Sequence, residues 1–313
     1  MKKRKKKAIL IVSLIIAFIL GVFICNRILL KKEAVLRQPM GAVVPVNGYN
    51  ISVYTEGYGP KTFVFMSGGG TCSPLLDFKS LFSQLSNEYR VVVVERLGYG
   101  FSDDADVERD VDTMLNDTRS ALMAAGISGP FILCPHSMSC IEALYWAQEY
   151  PKEVEAIIGL DMATPYHYED LSIKMSSLRF TRLFFISGFA RLCPNLWKSA
   201  AVKNGILSQY EKDVYRAVFY KRSASRLMLK EAKCIKNNAD FVMGRGLPQI
   251  PLLMFVSNGE GTGMNGDLWY ENSAKFVDMV DNGSIIKLDC PHYIHDYLYE
   301  DIGREIKIFV EAL

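Results

Sequence analysis

Short hydrophobic runs alternate with segments of helical apolar spacing from about residue 42 onward. The runs include VVVV before Glu95, FILC before Pro135 and AIIGL before Asp161. Four valines in succession, with no polar alternation, are typical of a strand buried on both faces of a parallel sheet. The segment VDTMLNDTRSALMAAG has helical spacing and ends at a glycine. Strands that alternate with helices predict an α/β fold with a mostly parallel, doubly wound sheet.

Two intervals depart from this alternation. Residues 42–70 contain three β-rich runs separated by Asn-Gly and Tyr-Gly-Pro breaks, which predicts antiparallel opening strands. Residues 164–249 contain only helical segments. We expect that interval to form an inserted helical cap over the carboxyl ends of the strands, where open α/β sheets bind ligands. The core is then expected to comprise residues 33–163 and 250–313.

The N-terminus shows a third pattern. MKKRKKK precedes an uncharged apolar stretch from Ala8 to Cys25. Eighteen residues span about 27 Å as a helix, close to the roughly 30 Å hydrocarbon core of a bilayer. A cleaved signal peptide usually has a shorter apolar region followed by a small-x-small site, and bulky residues follow Gly21 here. We therefore expect residues 1–32 to form a single-pass membrane anchor with a cytoplasmic N-terminus and an extracytoplasmic catalytic domain.

The formal net charge of +2 conceals a strong segregation of charge. Residues 1–32 hold nine Lys and Arg and no acid, and residues 164–249 hold fifteen against six Asp and Glu. A solvated helical face explains the second excess most simply, and contact of the cap with anionic lipid headgroups is the sharper hypothesis. The seven cysteines form no C-x-x-C pattern, and no phosphate-binding loop occurs. We expect no metal, no cofactor and no nucleic-acid partner.

The stretch FILCPHSMSC places Ser137 between a predicted strand and a predicted helix. A sharp strand-to-helix turn lifts a serine hydroxyl above the sheet, where it can act as a nucleophile. The residues two before and two after such a serine must be small, because the two backbones nearly touch. Ser139 meets that demand, and Pro135 loses little at the last residue of a strand. Taken alone, the pattern also suits an ordinary helix N-cap.

A second glycine-rich stretch suits the same chemistry. MSGGGT, residues 66–71, directly follows another predicted strand. Hydrolysis of an acyl group requires backbone N–H groups aimed at the developing oxyanion. We expect the N–H groups of Gly69 and Met138 to form this oxyanion hole.

The chain has four histidines, of which one is the best candidate for a general base. His292 lies in LDCPHYIHDY, just past the last predicted strand. His136 adjoins the serine along the chain, His167 lies in the predicted cap, and His295 is expected to start the final helix.

The stretches FVFMSGGG, ERLGYGFSD, CPHSMS and CPHYIHD together resemble the α/β-hydrolase superfamily. Ser67 stands in place of the histidine of that family's His-Gly-x-x stretch, and Leu97 in place of the proline in its Pro-Gly-x-Gly-x-Ser turn. The order of oxyanion loop, serine, cap, acid and histidine is the family's order. The resemblance implies Ser137 as nucleophile and His292 as base. Dehalogenases and epoxide hydrolases of this shape carry an aspartate at the serine position instead.

The resemblance also implies an acid that orients the histidine. In this superfamily it usually follows the strand after the cap, which selects Glu260 in SNGEG. Asp161, at the end of the preceding strand, and Asp267 remain alternatives. The predicted function is a serine hydrolase acting on carboxylic esters or small amides through an acyl-enzyme. A non-catalytic relative that binds a ligand or partner is the alternative.

Overall fold

The computed structural model describes residues 2–169 and 171–313. The strands in chain order are β1 (Ala42–Val46), β2 (Tyr49–Glu56), β3 (Thr62–Met66), β4 (Arg90–Glu95), β5 (Phe131–Pro135), β6 (Val154–Leu160), β7 (Leu252–Val256) and β8 (Gly283–Lys287). The helices are α1 (Lys2–Lys32), α2 (Pro74–Asp77), α3 (Lys79–Leu85), α4 (Val111–Ala124), α5 (Cys140–Glu149), α6 (Met175–Ile186), α7 (Ala200–Asn204), α8 (Gln209–Arg222), α9 (Arg226–Met243), α10 (Gly266–Val277), α11 (Ile294–Tyr297) and α12 (Tyr299–Glu311). Single 3₁₀ turns cover Glu33–Leu36, Ser137–Ser139, Pro151–Glu153, Pro165–Tyr168 and Phe189–Leu192.

The strands form one sheet in the order β1-β2-β4-β3-β5-β6-β7-β8. β2 pairs antiparallel with β1 and β4, and the remaining pairs are parallel. The predicted doubly wound α/β sheet is thereby confirmed. The prediction of three antiparallel opening strands is right for β1 and β2 but wrong for β3. The chain crosses from β3 to β4 through α2 and α3, and such a helical crossover lets the two strands run parallel.

The four valines of β4 show why the sheet needs helices on both faces. Val91 and Val93 point into one hydrophobic cluster, and Val92 and Val94 into the other. The first cluster contains apolar residues of α3 and α12, and the second those of α4, α5 and α10. Because successive side chains of a strand point to opposite faces, an unbroken hydrophobic run fills both layers of the core.

The interval between β6 and β7 carries the inserted helices α6 to α9. They follow the carboxyl end of β6, and α9 returns to the core, where it contacts α5. We use the name cap for these four helices and the turns between them. The cap therefore lies above the edge where the parallel strands end, which is the edge that carries the candidate site.

Helix α1 precedes this core. Within the described residues, α1 is the one helix long and apolar enough, by length and composition, to cross a membrane. Its carboxyl end packs on the cap, where Asn26 accepts a hydrogen bond from Arg191 at 2.7 Å. Arg191 also forms a bidentate ion pair with Glu33, at 2.9 and 2.6 Å. The apolar N-terminal helix is thus fixed to the cap at one end.

Candidate active site

Ser137 occupies a strained turn at the end of β5. Its φ is +53°, in the left-handed region that costs a non-glycine residue on the order of 1 kcal/mol or more. The Ser137 carbonyl accepts a hydrogen bond from the Ala163 amide at 3.0 Å, which ties the turn to the segment after β6. This backbone conformation, between a buried strand and α5, is the one expected of a nucleophile elbow.

The turn closes without the two glycines that usually flank such a serine. Pro135, the last residue of β5, pairs with Met66 in the ladder with β3. Its missing N–H is not needed there, because the His136 amide donates to the Met66 carbonyl at 2.9 Å. Ser139 is buried, and its hydroxyl donates to the Met66 carbonyl at 2.7 Å. A small hydrogen-bonding side chain therefore supports the tight approach of strand and helix.

His292 lies in the loop between β8 and α11, and Asp161 binds its ring. The Nδ1 of His292 donates to Oδ2 of Asp161 at 2.5 Å. The other carboxylate oxygen of Asp161 accepts from the Ser257 amide at 2.7 Å and from Nε1 of Trp269 at 2.8 Å. Asp161 is completely buried. Its negative charge is therefore held by three donors, and the imidazole is held in one orientation.

The expectation that the Glu260 carboxylate pairs with His292 is wrong. The Glu260 side chain is exposed, and it is the backbone carbonyl of Glu260 that accepts the His292 amide, at 2.8 Å. The Glu260 amide donates to Oδ1 of Asn258, which closes a turn that leaves the side chain in solvent. The position of the acid is filled from the end of β6 by Asp161, one of the two alternatives. The other, Asp267, lies in the exposed first turn of α10.

The other three histidines are buried, and none is bonded to a carboxylate in the described residues. Burial lowers the pKa of His136 well below its usual value, and the neighbouring histidines lower it further. Nε2 of His136 lies 3.1 Å from the His292 carbonyl, so this ring supports the loop that carries His292. Burial lowers the pKa of His295 to about 3 and also lowers that of His167. All three rings are uncharged near neutral pH.

The glycine-rich loop after β3 lies directly against the elbow. A Cβ built on Gly68 would be 2.9 Å from the Cβ of Ser137, and a Cβ on Gly69 would be 3.1 Å from Cε of Met138. A side chain at Gly68 would collide with the elbow, and one at Gly69 would require the Met138 side chain to shift, which explains the glycines better than flexibility does. The loop therefore brings the backbone of Gly69 next to Met138, and these are the two residues from which an oxyanion hole is expected.

The group that holds this loop in place consists of Arg96, Glu142 and Glu231, which no sequence motif connects; we call it the Arg96 group. Arg96, buried at the end of β4, donates to the Ser67 carbonyl at 2.9 Å and to the Gly68 carbonyl at 3.3 Å. Two buried carboxylates neutralise it: Glu142 of α5 lies at 3.3 Å and Glu231 of α9 at 3.5 Å. The signal for this group is the unusual charge pair Glu95-Arg96 at the end of a valine run, where a core strand would not otherwise carry arginine.

The Arg96 group extends into the cap. Glu231 also binds Arg109 at 2.9 Å and accepts a hydrogen bond from the Tyr99 hydroxyl at 2.5 Å. That hydroxyl lies 3.4 Å from the amide of Gly70, in the glycine-rich loop. Burial, and next the charge of Glu231, raise the pKa of Tyr99. One cap carboxylate is therefore connected to both ends of the loop that faces Ser137.

An apolar cavity of about 500 Å³ opens between the glycine-rich loop and the cap. Gly69 and Met138 form its floor, and Leu178, Phe185 and Met228 are among the residues of the cap that line it. A volume of this size suits a small organic ligand. Among the described residues, no group of three or more His, Cys, Asp or Glu is arranged to hold a metal ion. What the site offers is a serine hydroxyl, an oriented imidazole and an apolar space lined by Gly69 and Met138.

Comparison with known proteins agrees with this architecture. The sequence profile of the alpha/beta hydrolase fold matches residues 61–292. The uncharacterized protein YbdG of Bacillus subtilis (strain 168) is 41% identical over 216 residues, which cover 67% of this chain and 66% of YbdG. The chain thus spans just under two thirds of the length of that relative.

Solved structures share the fold at low sequence identity. Cfl2 from Burkholderia cenocepacia superposes with a TM-score of 0.68 at 19% identity, covering 85% of this chain and 94% of Cfl2. The Bacillus megaterium epoxide hydrolase superposes with a TM-score of 0.62 at 19% identity, covering 86% of this chain and 100% of that one. The profile match covers most of the chain, and the sheet, the elbow and the cap agree with it. This chain belongs to the alpha/beta hydrolase family.

Proposed function

We propose that this protein is a serine hydrolase that cleaves carboxylic esters, and small amides less readily, through an acyl-enzyme. The observation that carries the proposal is the Asp161–His292 hydrogen bond of 2.5 Å. The His292 ring lies 4.6 Å from the ring of His136, the residue before a serine on a strained strand-to-helix turn. A surface serine that only capped a helix would need neither an oriented imidazole nor a left-handed backbone.

The proposed mechanism assigns one task to each group. With the Asp161 carboxylate accepting at Nδ1, the proton of neutral His292 sits on Nδ1, and Nε2 is free to act as base. Nε2 takes the proton of the Ser137 hydroxyl as its oxygen attacks the acyl carbonyl. The imidazolium that results is stabilised by the buried carboxylate. It then protonates the leaving alcohol, and water releases the acyl group by the same steps in reverse.

The amides of Gly69 and Met138 are proposed to bind the oxyanion of the tetrahedral intermediate. Both residues line the apolar cavity, and the loop that carries Gly69 is held by Arg96 through two carbonyls. Donors fixed in this way need no reorganisation when the charge develops, which is the main source of such stabilisation. The serine at the elbow argues against the aspartate chemistry of dehalogenases and epoxide hydrolases.

We further propose that α1 anchors the enzyme in a membrane, with the basic N-terminus in the cytoplasm and the hydrolase domain outside. The length of the apolar stretch and the basic residues before it support this topology.

The test is hydrolysis of p-nitrophenyl esters of increasing acyl length by the purified full chain. Ser137→Ala is expected to lower kcat/KM by roughly 10³-fold or more, because the covalent route is lost. Ser128→Ala, in the exposed loop before β5, is the matched control and should leave activity unchanged. Near-normal turnover in the Ser137→Ala protein would rule out the mechanism. An inactive but folded wild-type protein would favour a ligand-binding role.

A further inference from the structure

A second cavity, of about 180 Å³, lies between the carboxyl end of α1 and the cap. Four basic residues line it, Arg27, Arg182, Lys221 and Arg222, and one acid, Asp104. We call it the basic pocket. Its lining carries a formal charge of +3, in contrast to the apolar cavity beside Ser137.

The protein balances the positive charges of the basic pocket only in part, through the charge of Asp104. Within the described residues, none of the four basic side chains has a carboxylate within 4.0 Å. Arg182 donates to the Ala224 carbonyl at 2.9 Å, and Arg222 to the Gly100 carbonyl at 2.8 Å. Desolvation lowers the pKa of Arg222 and of Lys221, and neighbouring positive charges lower that of Lys221 further. An anion in this pocket would relieve that repulsion.

The position of the basic pocket indicates where the anion comes from. The apolar stretch of α1 ends at Cys25, and Asn26 and Arg27 are the next residues. Asn26 packs closely on Gly188: a Cβ built on Gly188 would lie 2.5 Å from the Cβ of Asn26. If α1 spans the bilayer, as proposed above, this contact places the basic pocket at the level of the lipid headgroups.

The cap surface beside the pocket is apolar and uncovered. Phe180, Leu183 and Ile186 follow one another at a spacing of three residues on α6, with 69%, 57% and 49% of their surface exposed. Phe189, in the next turn, has its ring 6.3 Å from that of Phe18, about 10 Å along α1 from the end of the apolar stretch. Apolar helix faces sink about 5–10 Å into the boundary between headgroups and acyl chains. The α6 face therefore fits the bilayer surface next to α1.

The basic pocket and the apolar cavity adjoin one another. Phe185 and Ser223 line both of them. An amphiphile could therefore place a charged headgroup among the basic side chains and an acyl chain in the cavity beside Met138. A small soluble ester would occupy only the apolar cavity.

We propose that the basic pocket binds the phosphate-bearing headgroup of an anionic membrane amphiphile, and that the adjoining apolar cavity receives its acyl chain beside Ser137. The hydrolytic outcome rests on the function proposed above, whereas the binding does not. The ligand is thus an anionic lipid, or a lipid-derived ester, that reaches the site from the adjacent leaflet.

Binding is measured on the full chain in neutral detergent micelles, with Ser137→Ala introduced so that no turnover can alter the ligand. Calorimetric titrations compare dihexanoyl phosphatidylglycerol, dihexanoyl phosphatidylcholine and inorganic phosphate. The anionic lipid is expected to bind at least tenfold more tightly than the other two. Arg27→Gln combined with Lys221→Gln should weaken its binding by roughly 30-fold, from about 1 kcal/mol for each charge. Both side chains are exposed at the rim, and neither holds a backbone carbonyl.

Lys203→Gln is the matched control, since it removes one charge from an exposed position on α7 of the same cap. It should leave affinity within twofold, and Lys221→Gln alone keeps the test valid if the double variant is unstable. Equal affinity for the two lipids, or an unchanged double variant, would overturn the proposal. Equal affinity for inorganic phosphate would also overturn it, because the site would then take a free anion. Failure of ester hydrolysis would leave these binding results intact and would count only against the enzymatic proposal.

Discussion

Replacing Asp161 by asparagine tests the site most sharply, because the structure fixes the orientation that the new amide must take. One oxygen of Asp161 accepts from the Ser257 amide and from Trp269. The asparagine oxygen must stay there, since an NH₂ group facing two donors would leave them unpaired. The NH₂ group then faces His292 in place of the carboxylate oxygen that now lies 2.5 Å away.

The consequence for His292 is a change of tautomer. Nδ1 must become an acceptor, so the ring proton moves to Nε2, which can then no longer take the proton of Ser137. A carboxylate-to-amide change of this kind lowers kcat by about 10⁴-fold, which corresponds to about 5.5 kcal/mol in the activation barrier. Stability should change little, because the two side chains have the same shape.

The assay compares kcat/KM for p-nitrophenyl butyrate at pH 7.5 in Asp161→Asn and in Glu260→Gln. Each variant removes one negative charge from the loops around His292, so they form a matched pair. Glu260→Gln is expected to stay within about twofold of wild type, because its side chain is exposed. Thermal unfolding of both variants checks that the fold is retained. If Glu260→Gln were the more damaging change, the assignment of Asp161 would be refuted.

Three further outcomes are expected. Glu231→Gln removes a buried counter-charge from Arg96 and Arg109 and should lower the free energy of unfolding by about 3–5 kcal/mol, as measured in urea. Burial holds the pKa of His295 at about 3. Between pH 6.5 and pH 3 the unfolded chain therefore binds a proton that the folded chain does not, and stability falls as the pH falls. His295→Gln should reduce this loss of stability, which is at most on the order of 5 kcal/mol. The free energy of unfolding, measured from pH 7 to pH 3.5, checks it. Gly68→Ala places a Cβ against the candidate nucleophile and should lower kcat/KM by about 10²-fold with little loss of secondary structure by circular dichroism.

The layered fold followed from hydrophobic periodicity, because unbroken apolar runs require helices on both faces. The direction of β3 did not follow, since a short β-rich run reads the same in a parallel and an antiparallel pair. Pairing is decided by the crossover, and α2 and α3 are too short to give a clear helical pattern. Local periodicity is therefore a poor guide to strand direction near the start of the sheet.

The sequence was likewise sufficient to select some residues of the candidate site but not others. Ser137 and His292 could be selected from their places after predicted strands, although their roles stay proposals. The acid could not, because β6 and β7 are neighbours whose carboxyl ends lie at the same edge, with Leu160 opposite Phe255. A carboxylate after either strand is within reach of the histidine loop. The turn geometry at Glu260 decides between them, and only the folded chain shows it.

The Arg96 group could not be predicted from the sequence, for a different reason. Arg96 directly follows β4, and its partners come from α5 and α9, up to 135 positions away along the chain. A buried arginine is recognisable in sequence only when its partners are known. The charge pair at Glu95-Arg96 was the one local sign that the end of the valine run had a task beyond packing.

The proposed mechanism requires Ser137 to be an activated nucleophile. The most direct measurement is reaction of the full chain with a fluorophosphonate, followed by mass spectrometry of the intact protein and of its peptides. One covalent adduct is expected, located on Ser137, that is absent in Ser137→Ala and forms far more slowly in Asp161→Asn. A folded wild-type protein that remains unlabelled, or that carries the adduct on another residue, would contradict it.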